Sequence, residues 1–218
     1  MPPRVTLSFD NGPDPEITPK VLDILARRGI LTTFFVVGDK LRDPARHAIV
    51  ERAFRAGHWI GNHTFNHLAP LGVTLDRDAP ALEISRTQTL IGDMSHPDRL
   101  FRPFGSGGIL DEALLSPSAV DLLCRDGYSC VLWNVVPRDW ENPKGWVPQA
   151  LQQVAAEEWP LVVLHDLPTT AMDQLELFLD GLDAAGATIV QDFPKDCIPI
   201  VNGEIVADIS AYMTSPAT

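Results

Sequence analysis

The sequence is poor in cysteine, in basic residues and in long apolar runs, and each shortage removes a class of function. Only Cys124, Cys130 and Cys197 occur. An odd count without Cys-x-x-Cys spacing specifies neither a disulfide framework nor a thiolate zinc site. Cys124 and Cys130, which flank a helix end and a strand, are read as small buried hydrophobes, which suits a reducing compartment. Lys and Arg number 17 against 29 Asp and Glu, a formal net charge of -12. Nucleic-acid binders neutralise phosphates with clustered cations, so nucleic acid is not an expected partner. Anionic membrane surfaces are disfavoured for the same reason, and a neutral or cationic substrate fits better. No apolar run approaches the ~20 residues that a membrane-spanning helix requires. Met1-Pro2-Pro3-Arg4 leads straight into strand-like sequence, without the features of a secretory signal. The expected location is cytoplasmic.

What is present suits one well-buried domain over residues 1–218, with 45% hydrophobic and 21% charged residues. Strand and helix signals alternate, with no repeat or low-complexity segment. Strands are expected at 5–10, 32–37, 58–60, 100–104, 129–136, 161–164 and 187–190. Between them, helices are expected at 18–28, from 43 to 57, at 76–91, from 116 to 127, at 148–157 and at 170–185. Thr18 is read as the cap of the first helix, with Pro19 behind it and Gly29 ending it. Such alternation is the mark of an α/β fold built on a parallel sheet, whose chemistry gathers on loops at the C-terminal ends of the strands.

The reactive side chains fall on that rim. Asp10 ends the first strand, in Ser8-Phe9-Asp10-Asn11-Gly12-Pro13. Taken singly, such a motif is most often a turn-stabilising residue. His63 and His67 follow the third strand, in Gly61-Asn62-His63-Thr64-Phe65-Asn66-His67. Their i, i+4 spacing would put two imidazoles on one face of a helical turn, where they can share a metal ion; two unrelated histidines are an equally ready explanation. Arg102, in Phe101-Arg102-Pro103-Phe104-Gly105, can hold a carboxylate, and a backbone N–H near Phe104 can face an oxyanion. Asp139-Trp140 follows the fifth strand, and Leu164-His165-Asp166 ends the sixth with a histidine suited to general-acid work. His47 and His96 are read as facing solvent, His58 as structural, and Trp146 and Trp159 as packing residues.

In this order the motifs resemble the NodB-homology domain of polysaccharide deacetylases, carbohydrate esterase family 4. That family carries T-F-D-D-G-P, H-[ST]-x-x-H, R-x-P-[YF], D-x-x-D-W and L-x-H. The counterparts here are S-F-D-N-G-P, H-T-F-N-H, R-P-F-G, V-P-R-D-W and L-H-D, and the resemblance spans about residues 4 to 193. It implies a distorted (β/α) barrel with about seven parallel strands and a divalent metal, zinc being the first candidate. By this resemblance Asp10 is the general base, His165 the general acid, Arg102 the group that positions Asp10, and Asp139 the group that orients His165. His63, His67 and the residue at position 11 would hold the metal, and Phe104, Trp140 and Leu164 would contact substrate. The implied reaction is hydrolysis of an N-acyl group from an amino sugar or chitooligosaccharide-like substrate.

Three departures bear on this expectation. Arg102-Pro103-Phe104 is one residue shorter than R-x-P-[YF], which touches the oxyanion contact. Asn11 stands where the family has its metal-binding aspartate, so a neutral oxygen replaces an anionic one and metal binding should weaken. Val136 replaces the first aspartate of D-x-x-D-W. Two alternatives therefore stay open: a metal-weak or metal-free relative acting on a small non-carbohydrate amide or other C–N bond, and a catalytically silent carbohydrate-binding domain. Substrate specificity is expected in loops 68–77, 106–111 and 141–146, and the oligomeric state is not readable.

Overall fold

The computed structural model describes residues 3–74 and 76–215. Its centre is β1 (Arg4–Asp10), whose side chains alternate by chemistry as a strand requires. Val5, Leu7 and Phe9 point into the main hydrophobic core, while Thr6, Ser8 and Asp10 face the other way. Each fully buried Val, Leu or Phe of this kind stabilises the fold by roughly 1.5–3 kcal/mol, so a register slip of one residue would expose a whole row of them.

After β1 come α1 (Ile17–Arg28), β2 (Thr33–Val36), α2 (Pro44–Arg55) and β3 (Trp59–Asn62). A π-turn at Ala81–Ser85 then leads into α3 (Arg86–Ile91), followed by β4 (Leu100–Phe101), α4 (Pro117–Arg125) and β5 (Ser129–Cys130). The chain continues through α5 (Trp146–Ala156), β6 (Leu161–His165), α6 (Leu175–Ala184) and β7 (Thr188–Val190), and ends with a small hairpin, β8 (Ile200–Val201) and β9 (Glu204–Ile205).

The sheet runs β6-β1-β2-β3-β4-β5-β8-β9, with β7 also on β1. β1 to β7 pair in parallel, and only the hairpin is antiparallel. Beyond β5 the chain bends back to β6: Val135 bridges Val162, donating to Leu161 O at 3.2 Å and accepting from Val163 N at 3.0 Å. This one narrow link brings the two ends of the parallel run together, in keeping with a distorted barrel.

Several expectations need correction. Thr18 does not cap α1 but lies inside it; Asp14 takes that part, its Oδ1 accepting from the backbone of Glu16 and Ile17 at 2.9 Å each. The Thr18 hydroxyl accepts from Asp14 N at 2.8 Å and donates to Asp166. Asp43 and Ser116 cap α2 and α4, with a proline behind each. The strands expected over 100–104 and 129–136 shrink to two residues each, because the loops after them turn into the pocket described below. His47 and His96 are half-buried rather than open to solvent, with the His96 ring 4.5 Å from Trp59. His58 is structural, its Nδ1 accepting from Thr32 N at 3.2 Å. Trp146 is fully buried and donates to Ala171 O at 3.0 Å, a packing role.

Candidate active site

Asp10 and His165 are register partners on the adjacent strands β1 and β6, so the two central candidates stand side by side. Both belong to the solvent-averse face of their strands, at 3% and 9% exposure, and both line one cavity of about 220 Å³.

Asp10 is held by Arg102, which leaves β4 pointing inward and is fully buried. Nη1 donates to Asp10 Oδ1 at 2.8 Å and to Ser8 Oγ at 2.7 Å. Nε and Nη2 donate to Val131 O and Leu132 O, each at 3.2 Å, and the guanidinium carbon lies 4.0 Å from the centre of the Phe35 ring. Four of the five guanidinium N–H groups are thus engaged, and the planar fork has one orientation available to it. Asp10 Oδ2 is left facing His63 Nε2 across 3.6 Å.

His63 Nδ1 lies 2.9 Å from Arg102 O. A carbonyl can only accept, so Nδ1 carries the proton and Nε2 presents a lone pair towards the cavity. Burial lowers the pKa of His63 to about 3, and burial with the neighbouring His63 lowers that of His67 to about 2, so both rings are neutral at ordinary pH. Their centroids are 4.6 Å apart, but not through a helical turn as the spacing suggested. The segment is a loop, and positive φ at Thr64 (63°) and His67 (52°) folds the second ring back over the first. Phe104 closes on His67 at 4.2 Å.

Asn11 also has positive φ (71°), and its Oδ1 is buried without a hydrogen-bond partner. An orphaned carbonyl oxygen is costly in isolation but is what a cation site provides. Asn11 Oδ1, His63 Nε2 and the His67 ring line the same cavity, a donor set that fits a divalent ion through neutral ligands. Among the described residues no cluster of three or more His, Cys, Asp or Glu side chains is arranged to hold a metal.

His165 is partnered differently. Its Nδ1 lies 2.8 Å from Asp139 Oδ1, its backbone N donates to Asp139 Oδ2 at 3.1 Å, and Trp140 packs edge-on at 4.6 Å. Burial pushes the imidazole down, but the Asp139 hydrogen bond and the charges of Asp139, Asp10 and Asp166 outweigh it and hold the ring above the ordinary histidine value. The pocket therefore joins a carboxyl group anchored by Arg102, two neutral imidazoles and one histidine whose pKa is raised. That combination can take a proton from water at one point and return one to a leaving group at another.

Among the expected substrate contacts, Phe104 and Trp140 line the cavity and Leu164 does not. Leu164 is fully buried in the main core, on the opposite face of β6 from His165, and Val163 takes its place in the pocket. The two-residue period of the strand, counted back from His165, selects Val163, which is also the leucine position of L-x-H. Ser8 was missed for the same reason: it lies two residues before Asp10, on the same face. Trp133, Val136 and Leu167 complete the apolar wall. Of the loops expected to set specificity, 106–111 reaches the cavity through Gly107 and Gly108; among the described residues neither 68–77 nor 141–146 lines it. Asp166 was passed over; it is buried against Gly12, where any Cβ would collide with its carboxylate.

A family model described as polysaccharide deacetylase matches residues 1–118. The chain is 33% identical over 168 residues to the chitooligosaccharide deacetylase of Sinorhizobium fredii, an alignment covering 75% of this chain and 72% of that protein. It is 34% identical over 170 residues to the peptidoglycan-N-acetylglucosamine deacetylase of Bacillus cereus, covering 74% of this chain and 72% of that one. Among solved structures it is similar to a family 4 acetyl xylan esterase from Clostridium thermocellum in complex with a cobalt ion. There the TM-score is 0.69 at 26% identity, covering 86% of this chain and 87% of that one.

Proposed function

The chain belongs to the polysaccharide deacetylase family, and on that premise we propose that it is a hydrolase removing an N-acyl group from an amino sugar or chitooligosaccharide-like substrate. The observation that carries this reading is the pairing of Asp10–Arg102 with His165–Asp139 on neighbouring strands, both facing one cavity. The relatives named for deacetylation of chitooligosaccharide and of peptidoglycan N-acetylglucosamine support the substrate class. A silent binding domain would have no need of a base and an acid each held by its own buried partner.

In this reading Arg102 fixes Asp10 through Oδ1 and leaves Oδ2 to take a proton from the attacking water. His63 Nε2, His67 and Asn11 Oδ1 would hold a divalent ion, zinc being the first candidate, which when bound polarises the acyl carbonyl and acidifies water. His165 carries its proton on Nε2 and donates it to the departing nitrogen as the amide C–N bond breaks. Asp139 fixes the ring tautomer from the far side and stabilises the imidazolium until that transfer. Trp140 and Phe104 restrict water around the reacting carbonyl.

The test is release of acetate and free amine from N-acetylglucosamine oligomers, with and without added zinc or cobalt. Release that needs the ion and is lost in Asp10→Asn is the expected result. No release with metal supplied, or undiminished release from Asp10→Asn, would overturn the reading.

A further inference from the structure

The loop between the two candidate ligand histidines holds a backbone form that its residues do not favour. Thr64 and His67 have positive φ, at 63° and 52°, and a β-branched threonine is rare in that region. Such backbone persists only where its surroundings over-determine it. Two sets of partners do so here. After β2, Gly38 N donates to Thr64 O at 3.0 Å and Asp39 N to Phe65 O at 2.9 Å. The second partner is the half-buried Glu83. Its Oε2 accepts from the backbone N of Phe65 and of Asn66 at 2.8 Å each, and its Oε1 accepts from Asn66 Nδ2 at 2.6 Å. Two successive N–H groups converging on one oxygen form an anion-binding nest, and hydrogen bonds to a carboxylate are about twice as strong as neutral ones.

The π-turn at Ala81–Ser85 carries this carboxylate, and turns of that kind are frequent at functional sites. Its next residue also meets the loop: Ile84 O accepts from Asn62 Nδ2 at 2.8 Å, while Asn62 Oδ1 accepts from Thr64 N at 3.1 Å. The Arg86 guanidinium lies 3.7 Å over the Phe65 ring. Thr87 and Phe65 close together on Gly38, where an added Cβ would collide with both. The start of α3 is thus built onto the histidine loop, although neither Glu83 nor Arg86 lines the cavity.

His63 is tied independently, through its backbone N to Val36 O at 3.0 Å and its Nδ1 to Arg102 O at 2.9 Å. The half-buried His67 packs its ring on those of His63 and Phe104, so its place follows from the backbone that carries it. Asn11, His63 and His67 form a neutral donor set, which attracts a divalent ion less than a charged one. Its affinity therefore depends on ligands that already stand in place. We propose that Glu83 is a positioning residue for this metal site, whose carboxylate holds the 64–67 backbone so that the His67 ring stands beside His63 before any ion binds. The proposal rests on the metal-assisted reading above.

The experiment compares wild type with Glu83→Ala, Glu83→Asp and Glu83→Gln. It measures zinc affinity by competition with a chromophoric chelator, the visible spectrum of the cobalt-loaded protein, and exchange of the Phe65 and Asn66 amides in the metal-free protein. Glu83→Ala should weaken zinc binding about 10–100-fold, alter the cobalt spectrum and speed exchange of both amides. Glu83→Asp, one carbon too short to reach the loop, should do the same, and it carries the test alone if Glu83→Ala does not fold. Glu83→Gln keeps an oxygen that can accept both N–H groups, so it should recover most of the loss. A merely structural role would lower the denaturant midpoint and leave affinity and spectrum unmoved. Unchanged zinc affinity and cobalt spectrum in Glu83→Asp overturn the role of Glu83 and leave the deacylase reading standing. A wild type that binds neither ion overturns the metal-assisted reading, and this role with it.

Discussion

His63 and His165 line the same cavity and are almost equally buried, at 3% and 9% exposure, yet their surroundings drive them in opposite directions. His63 gives its Nδ1 proton to the backbone carbonyl of Arg102 and is lowered to about 3 by burial. His165 meets the Asp139 carboxylate at nearly the same distance and is raised despite its burial. A carbonyl offers only a dipole to an imidazolium, whereas a carboxylate offers a full charge at low local dielectric. The partner on Nδ1, with the Asp10 and Asp166 charges around His165, sets the two buried rings apart.

The most severe way to break this contrast is to remove the proton carrier. His165→Ala should lower amine release about 10²–10⁴-fold, measured on N-acetylglucosamine oligomers, with oligosaccharide binding retained. Asp139→Asn converts the partner of His165 into one like that of His63. The alkaline limb of the pH–rate profile should then move to lower pH and the rate at neutral pH should drop about 10-fold or more; an unmoved limb would mean that Asp139 does not set the charge of His165. Asn11→Asp tests the other side by giving the neutral pair an anionic neighbour. Zinc affinity, read by competition with a chromophoric chelator, should rise on the order of tenfold.

The smallest effect concerns Asp166, a buried carboxyl whose side chain meets a hydroxyl, Thr18, in place of a full counter-charge. Burial raises it to about 7 from the ordinary value of 3.8. Below about pH 4 the folded and unfolded chains are both protonated there. Between about 4 and about 7 the unfolded chain ionises first, so stability falls as pH rises and the whole cost is present above 7. Asp166→Asn should flatten that decline in a series of denaturant midpoints; an unchanged slope would show that Asp166 ionises freely.

Much of this site was legible because Asp10 and His165 end their strands and Arg102 directly follows β4. Asp139 lies on the loop beyond the Val135–Val162 bridge. Asp10, Arg102, Asp139 and His165 lie in short ordered motifs, and a parallel sheet brings strand ends together whatever the loops do. What escaped was whatever depends on conformations that side-chain pattern does not encode. Left-handed backbone at Thr64 and His67 replaced the helical turn that His-x-x-x-His spacing suggests. Leu164 was misassigned because its neighbour, not it, shares the face of His165. The β8–β9 hairpin, with strands of two residues each, is too short to show a period. The part played by Asp14 was hidden because a nearer threonine offered the same chemistry.

Arg102 has a stereochemical consequence. By occupying Asp10 Oδ1 from within the barrel wall, it makes the two carboxylate oxygens inequivalent. Oδ2 faces His63 Nε2, and His165 stands on the adjoining strand. In the proposed reaction, water activated at Oδ2 would approach the amide from one side of the carbonyl plane while the nitrogen departs towards His165, so a planar and achiral group would be attacked on a single prochiral face.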